Sequence, residues 1–141
     1  MKSPEKLRLV FDTNVVLNAL SPKLPFRSVL QEVIAGRHHL CVTTEILLEY
    51  EEKISEFYSP STATLLLDAL AVSNHVIRSE VFYRFNLLED EDDNKFIDCA
   101  FAANAHYLIS DDKGFRMLET VGFPRIEWLT LKRWHEILQE T

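Results

Sequence analysis

Cysteine is scarce in this chain: Cys41 and Cys99 are the two present among 141 residues, and neither belongs to a CxxC pair. Both sit in apolar contexts, so zinc and redox roles recede and two buried free thiols in a reducing cytoplasm are expected. Long hydrophobic runs are missing too. Nothing approaches the ~20 apolar residues of a membrane span, and MKSPEKLRLVFD reaches Asp12 before a signal-peptide core has room. A soluble cytoplasmic protein with no membrane partner is expected. A basic run or tail is also absent, and the net charge of -7 argues against a general nucleic-acid coating protein. It leaves room for an enzyme that meets nucleic acid at one metal-loaded cleft. No linker, repeat or low-complexity tract divides the sequence. At 47% hydrophobic and 11% aromatic, residues 1–141 are expected to form one domain with an adequate core.

Short apolar runs alternate with helical periodicity. Leu7 to Phe11, His39 to Thr43, His75 to Arg78, Tyr107 to Ser110 and Ile126 to Leu129 read as strands. Between them, Val15 to Leu20 is a short helical stretch ended by Pro22 and Pro25. Phe26, Val29, Leu30, Val33 and Ile34 recur at helical spacing, with Gly36 as a stop. Thr44 is the expected cap of a helix running to about Phe57, and Ser59-Pro60 is a cap followed by a first-turn proline. Further helices are predicted over Ser61 to Val72, Asn94 to Ala105, Phe115 to Val121 and Leu131 to Leu138. Such alternation specifies an open α/β sandwich with a parallel sheet. The five histidines, His38, His39, His75, His106 and His135, lack ligand spacing and read as loop or surface groups. Trp128 and Trp134 read as packing anchors.

The acids carry the chemistry. Asp12 follows the first strand, at the sheet edge where ligands gather in parallel α/β proteins; it either caps the next helix or lines the crevice. Glu49 borders the stripe made by Ile46, Tyr50, Ile54 and Phe57, whereas Glu45 and Glu52 turn away. Asp93, one turn ahead of Phe96, Ile97 and Ala100, shares their inward face, where an acid must cap, pair or bind metal. Asp98 falls off that face and is a supporting candidate. Ser110, Asp111 and Asp112 end the fourth strand, and one or both acids could simply begin a turn. A doubly wound sheet would bring strands one and four together at its switch point. Two carboxylates ~5 Å apart repel by about 3 kcal/mol at an effective dielectric near 20. Several such terms rival the ~5–15 kcal/mol that holds a domain together. A convergent cluster therefore demands a cation, and oxygen-only ligands favour magnesium or manganese over zinc.

In these residues the sequence resembles the PIN-domain ribonucleases, particularly the VapC-like toxin components of bacterial type II toxin–antitoxin systems. VFDTNVVLNAL resembles the opening strand and DTN motif, ILLEYEEKI the helix with the second acid, and DDNKFIDCAFAANAHYLISDD the closing motif. The resemblance implies a three-layer α/β/α sandwich around a mainly parallel sheet of about five strands. It further implies an endoribonuclease in which Asp12, Glu49, Asp93 and Asp112 bind magnesium or manganese and activate water for in-line attack, leaving 5′-phosphate and 3′-hydroxyl ends. Asn14, Asp98 and Ser110 would support them, and Lys113 and Arg116 would steer the RNA backbone or remain solvated surface charge. A toxin of this kind implies a cognate antitoxin and often a homodimer. One departure stands out: the family's Thr-Gly-Asp ending is here Ser110-Asp111-Asp112, with an acid where positive φ is easily adopted. The alternatives are a non-catalytic PIN-like module that binds RNA or protein, or a phosphotransfer receiver domain. The receiver would need its acceptor aspartate on a middle strand, where this chain offers a helical glutamate.

Overall fold

The computed structural model of the chain describes residues 6–140, so residues 1–5 of the start discussed above lie outside it. Five strands form an all-parallel sheet in the order β3-β2-β1-β4-β5. They are β1 (Arg8–Phe11), β2 (His39–Val42), β3 (Val76–Arg78), β4 (Tyr107–Ile109) and β5 (Trp128–Leu129). The helices are α1 (Thr13–Leu20), α2 (Arg27–Ile34), α3 (Thr44–Phe57), α4 (Pro60–Val72), α5 (Asn94–Ala102) and α6 (Leu131–Glu140). Leu9, Val10 and Phe11 are all fully buried, as are Leu40, Cys41 and Val42. Successive strand residues point to opposite faces, so helices must cover both sides of the sheet. This is the expected three-layer α/β/α sandwich. The chain steps from β1 towards β2 on one side and returns to β4 on the other. The switch point therefore lies between β1 and β4, where Asp12 N–H donates to Ile109 O at 3.0 Å.

Local chemistry explains most boundaries. Thr43, rather than Thr44, caps α3, its hydroxyl accepting the Ile46 N–H at 3.2 Å. Ser59 caps α4 by accepting from Thr62 N, with Pro60 in the first turn. After α2 the chain turns through Gly36 at φ 81°, where a Cβ would stand 2.3 Å from the His75 ring. Only glycine fits there. The predicted helix over 115–121 is instead a 3-10 turn at Lys113–Glu119.

His38, His75 and His106 lie in loops, as expected, but none of the five histidines is exposed. His38 Nδ1 accepts the Leu7 N–H at 3.1 Å and His106 Nδ1 accepts the Arg8 N–H at 2.9 Å, so two imidazoles anchor the start of β1. His39 Nδ1 pairs with His75 O at 3.0 Å beside them. Trp134 is the buried anchor expected, packed edge-on against His38.

α5 differs from an ordinary amphipathic helix. Every residue from Asn94 to Ala100 is buried. Segment 79–90 has no regular structure and covers the helix's outer side, held by the side chains of Asp98 and Asn94. Asp98 Oδ1 accepts the Phe85 N–H at 3.1 Å, and Asn94 Oδ1 accepts the Leu88 N–H at 2.9 Å. Phe85, Phe101 and Phe123 stack edge to face along that cover.

Candidate active site

Asp12 ends β1 and formally begins α1, yet its side chain does not cap that helix. Instead Asp12 Oδ2 accepts the Ser110 hydroxyl at 2.6 Å. The same hydroxyl accepts the Asp112 N–H at 3.0 Å, so one serine at the end of β4 positions both acids. Asp12 is 4% exposed. Burial raises its pKa above the ordinary 3.8, opposed by the Ser110 hydroxyl and the Thr13 amide, and the charges of Asp112 and Glu49 raise it further. Tyr50 fixes the strand end from below, its hydroxyl donating to Phe11 O at 2.5 Å.

Asp93 stands at the head of α5, half-buried, without capping the helix. Its pKa is pushed up to about 7, first by burial, then by the charges of Asp12 and Asp90 and by a hydrogen bond and charge repulsion with Asp112. Asp112 in turn opens the 3-10 turn, its Oδ1 accepting the Gly114 N–H at 2.8 Å. Asp12, Asp93 and Asp112 are thus mutual neighbours contributed by the ends of β1 and β4 and the start of α5.

Glu49 completes the rim from α3, bound on both oxygens. Thr13 Oγ1 donates to its Oε2, and Lys95 Nζ reaches its Oε1 at 2.7 Å. Lys95 also donates to Asp92 O at 2.5 Å. Neither Lys95 nor Thr13 stands out as a site residue in the sequence. The only signal for Lys95 in the sequence is its place beside Phe96 and Ile97.

The remaining candidates are either turned away from the acids or exposed. Asp98 is turned away from the acids and holds segment 79–90, with Arg84 Nη1 3.9 Å from its Oδ2. Asn14 is exposed in the first turn of α1, and Lys113 and Arg116 are exposed on the 3-10 turn after Asp112. Asp111 does not take up positive φ. Its Oδ1 accepts the Leu131 N–H at 2.9 Å and ties the end of β4 to α6. Trp128 Nε1 adds a second tie, donating to Ser110 O at 2.9 Å.

Among the described residues, no three His, Cys, Asp or Glu side chains stand close enough together to hold a metal ion as they are placed. The donor set nevertheless suits a hard cation. It is all oxygen, and the Asp93–Asp112 contact brings together two carboxylates that need a shared proton or cation. Asp12, Asp93 and Asp112 are the groups that would hold it, with Glu49 at their border.

Comparison with known proteins bears on the fold and the family. The PIN domain family profile matches residues 8–114. No curated protein matches the chain. Among solved structures, the crystal structure of VapBC2 from Rickettsia felis, bound to a DNA fragment from their promoter, contains a similar chain. The TM-score is 0.61 at 14% identity, covering 88% of this chain and 98% of that one. That likeness speaks for the fold, while the profile spans both ends of the acidic cluster. The chain belongs to the PIN domain family.

Proposed function

We propose that this protein is a magnesium- or manganese-dependent endoribonuclease and the toxin of a toxin–antitoxin pair. The observation that carries the reading is the buried Asp12 carboxylate, oriented by Ser110 and flanked by Asp93, Asp112 and Glu49 at the switch point of the sheet. Ligands of open α/β sheets bind at that place. A divalent ion bound there would neutralise phosphoryl oxygens and lower the pKa of water. The chain's own residues set the geometry for this. Ser110 fixes the direction of Asp12 and the backbone of Asp112, Tyr50 fixes the end of β1, and Thr13 and Lys95 fix Glu49. Asp93, its pKa raised while no ion is bound by burial and by the neighbouring carboxylates, would be held ionised by a cation beside it and so serve as a ligand. Lys113 and Arg116, exposed beside Asp112, are suited to meet the RNA backbone.

The likeness to a VapBC2 chain supports a cognate antitoxin as partner, and a homodimer is the assembly proposed with it. A neighbouring gene for a small DNA-binding protein would separate a toxin from a housekeeping RNA-processing enzyme. The decisive experiment is cleavage of single-stranded RNA with manganese present and absent. Metal-dependent cleavage abolished by Asp12→Asn and by Asp93→Asn is expected. Equal cleavage by variants and wild type would mark a contaminating nuclease and sink the assignment.

A further inference from the structure

We propose that Lys95 is a built-in cation of this site and that, by neutralising Glu49, it limits the acidic cluster to one divalent ion held among Asp12, Asp93 and Asp112. The inference rests on the metal-dependent reading above and goes further, to how many ions the site accepts.

Three observations carry it. Lys95 is 8% exposed, and its ammonium lies 2.7 Å from Glu49 Oε1 and 2.5 Å from Asp92 O. A buried ammonium needs a charged partner, and Glu49 is the only carboxylate with which Lys95 forms an ion pair among the described residues. Second, the other Glu49 oxygen is engaged by the Thr13 hydroxyl, so both oxygens are oriented before any ion arrives. Third, Lys95 is the second residue of α5, at the helix end where the dipole disfavours a cation. Its placement there is offset by Glu49 and the Asp92 carbonyl, and gains nothing from the helix itself.

Charge then sets the stoichiometry. Four carboxylates and one ammonium leave three negative charges. One divalent ion brings these to one, whereas a second would have to settle on Glu49 against an ammonium already in hydrogen-bonding contact with it. Glu49 thereby becomes a positioning residue, acting through Thr13 at the head of α1 and through Lys95 at the head of α5, on either side of Asp12 and Asp93.

Manganese titration of the metal-free protein, followed by the electron paramagnetic resonance signal of free Mn2+, tests this without reference to activity. Wild type is expected to bind one ion per chain. Lys95→Met, which frees Glu49, is expected to bind a second, weaker ion. The double variant Lys95→Met/Glu49→Gln removes the pair whole, a change folds usually tolerate, and is expected to return to one. Two ions on the wild type, one ion on folded Lys95→Met, or loss of manganese from the double variant would each overturn the proposal. No manganese on the wild type would overturn the metal-dependent reading itself, which is a different result. Circular dichroism identifies folded variants, and the wild-type and double-variant outcomes decide the matter should Lys95→Met not fold.

Discussion

Ser110 Oγ donates to Asp12 Oδ2 at 2.6 Å across 98 residues of sequence, and accepts the Asp112 N–H at 3.0 Å. One hydroxyl thus sets the orientation of a carboxylate on β1 and the backbone of another after β4. Ser110→Ala removes both bonds at a fully buried position. The expected loss is about 1–3 kcal/mol of stability and roughly tenfold or more in RNA cleavage. Ser110→Thr keeps the hydroxyl and should keep most of both. Denaturant unfolding and single-turnover cleavage check the pair.

The acids should make the metal-free protein pH-sensitive. Asp93 has a folded pKa of about 7 against an ordinary 3.8, so the folded state binds more protons between those values. Its contribution to stability is greatest below ~4, declines as pH rises to ~7 and is then flat. Metal-free wild type should therefore lose melting temperature across that window relative to Asp93→Asn. Saturating magnesium at neutral pH should restore it, because a ligand that binds only the folded state stabilises that state. Parallel melting curves for the two proteins from pH 5 to pH 8 would contradict this.

His38 should act in the opposite direction. Burial lowers its pKa below the ordinary 6.5, with Glu32 opposing and His39 reinforcing the shift. Its Nδ1 must stay unprotonated to accept the Leu7 N–H. Stability from this contact is complete above ~6.5 and lost as pH falls from there through the lower folded value. A proton-NMR titration should place the His38 midpoint below 6.5, and protection of the Leu7 amide should fall with it. A midpoint above 6.5 would refute the assignment.

Asp111 is expected to matter for stability rather than for the ion. It accepts the first amide of α6, a contact of the kind worth about 0.5–2 kcal/mol at a helix start. Asp111→Ala should lower the unfolding midpoint accordingly while manganese stoichiometry stays unchanged. A changed stoichiometry would place this acid in the site after all.

Much of this was legible in the sequence because the signals are local. The apolar runs became strands, Ser59-Pro60 opened a helix, and the strand-end acids met where a doubly wound sheet requires. Glu49 and Asp93 emerged from helical phase alone. What stayed hidden depends on distant partners. Segment 79–90 has no periodicity, so nothing announced that it would cover α5 and draw Asp98 away from the acids. The Lys95–Glu49 pair joins two helices and looks like ordinary surface charge until they pack. His38 and His106 looked unremarkable because their role is to accept backbone N–H groups, which leaves no spacing pattern.

The sheet order carries a consequence for synthesis. Because β4 lies beside β1, a growing chain that has not yet reached Ser110 carries Asp12 with neither its hydroxyl partner nor the neighbouring strand. The first of the clustered acids is made early and the last about a hundred residues later. The proposed nuclease site is therefore incomplete in a nascent polypeptide until nearly the whole domain has emerged.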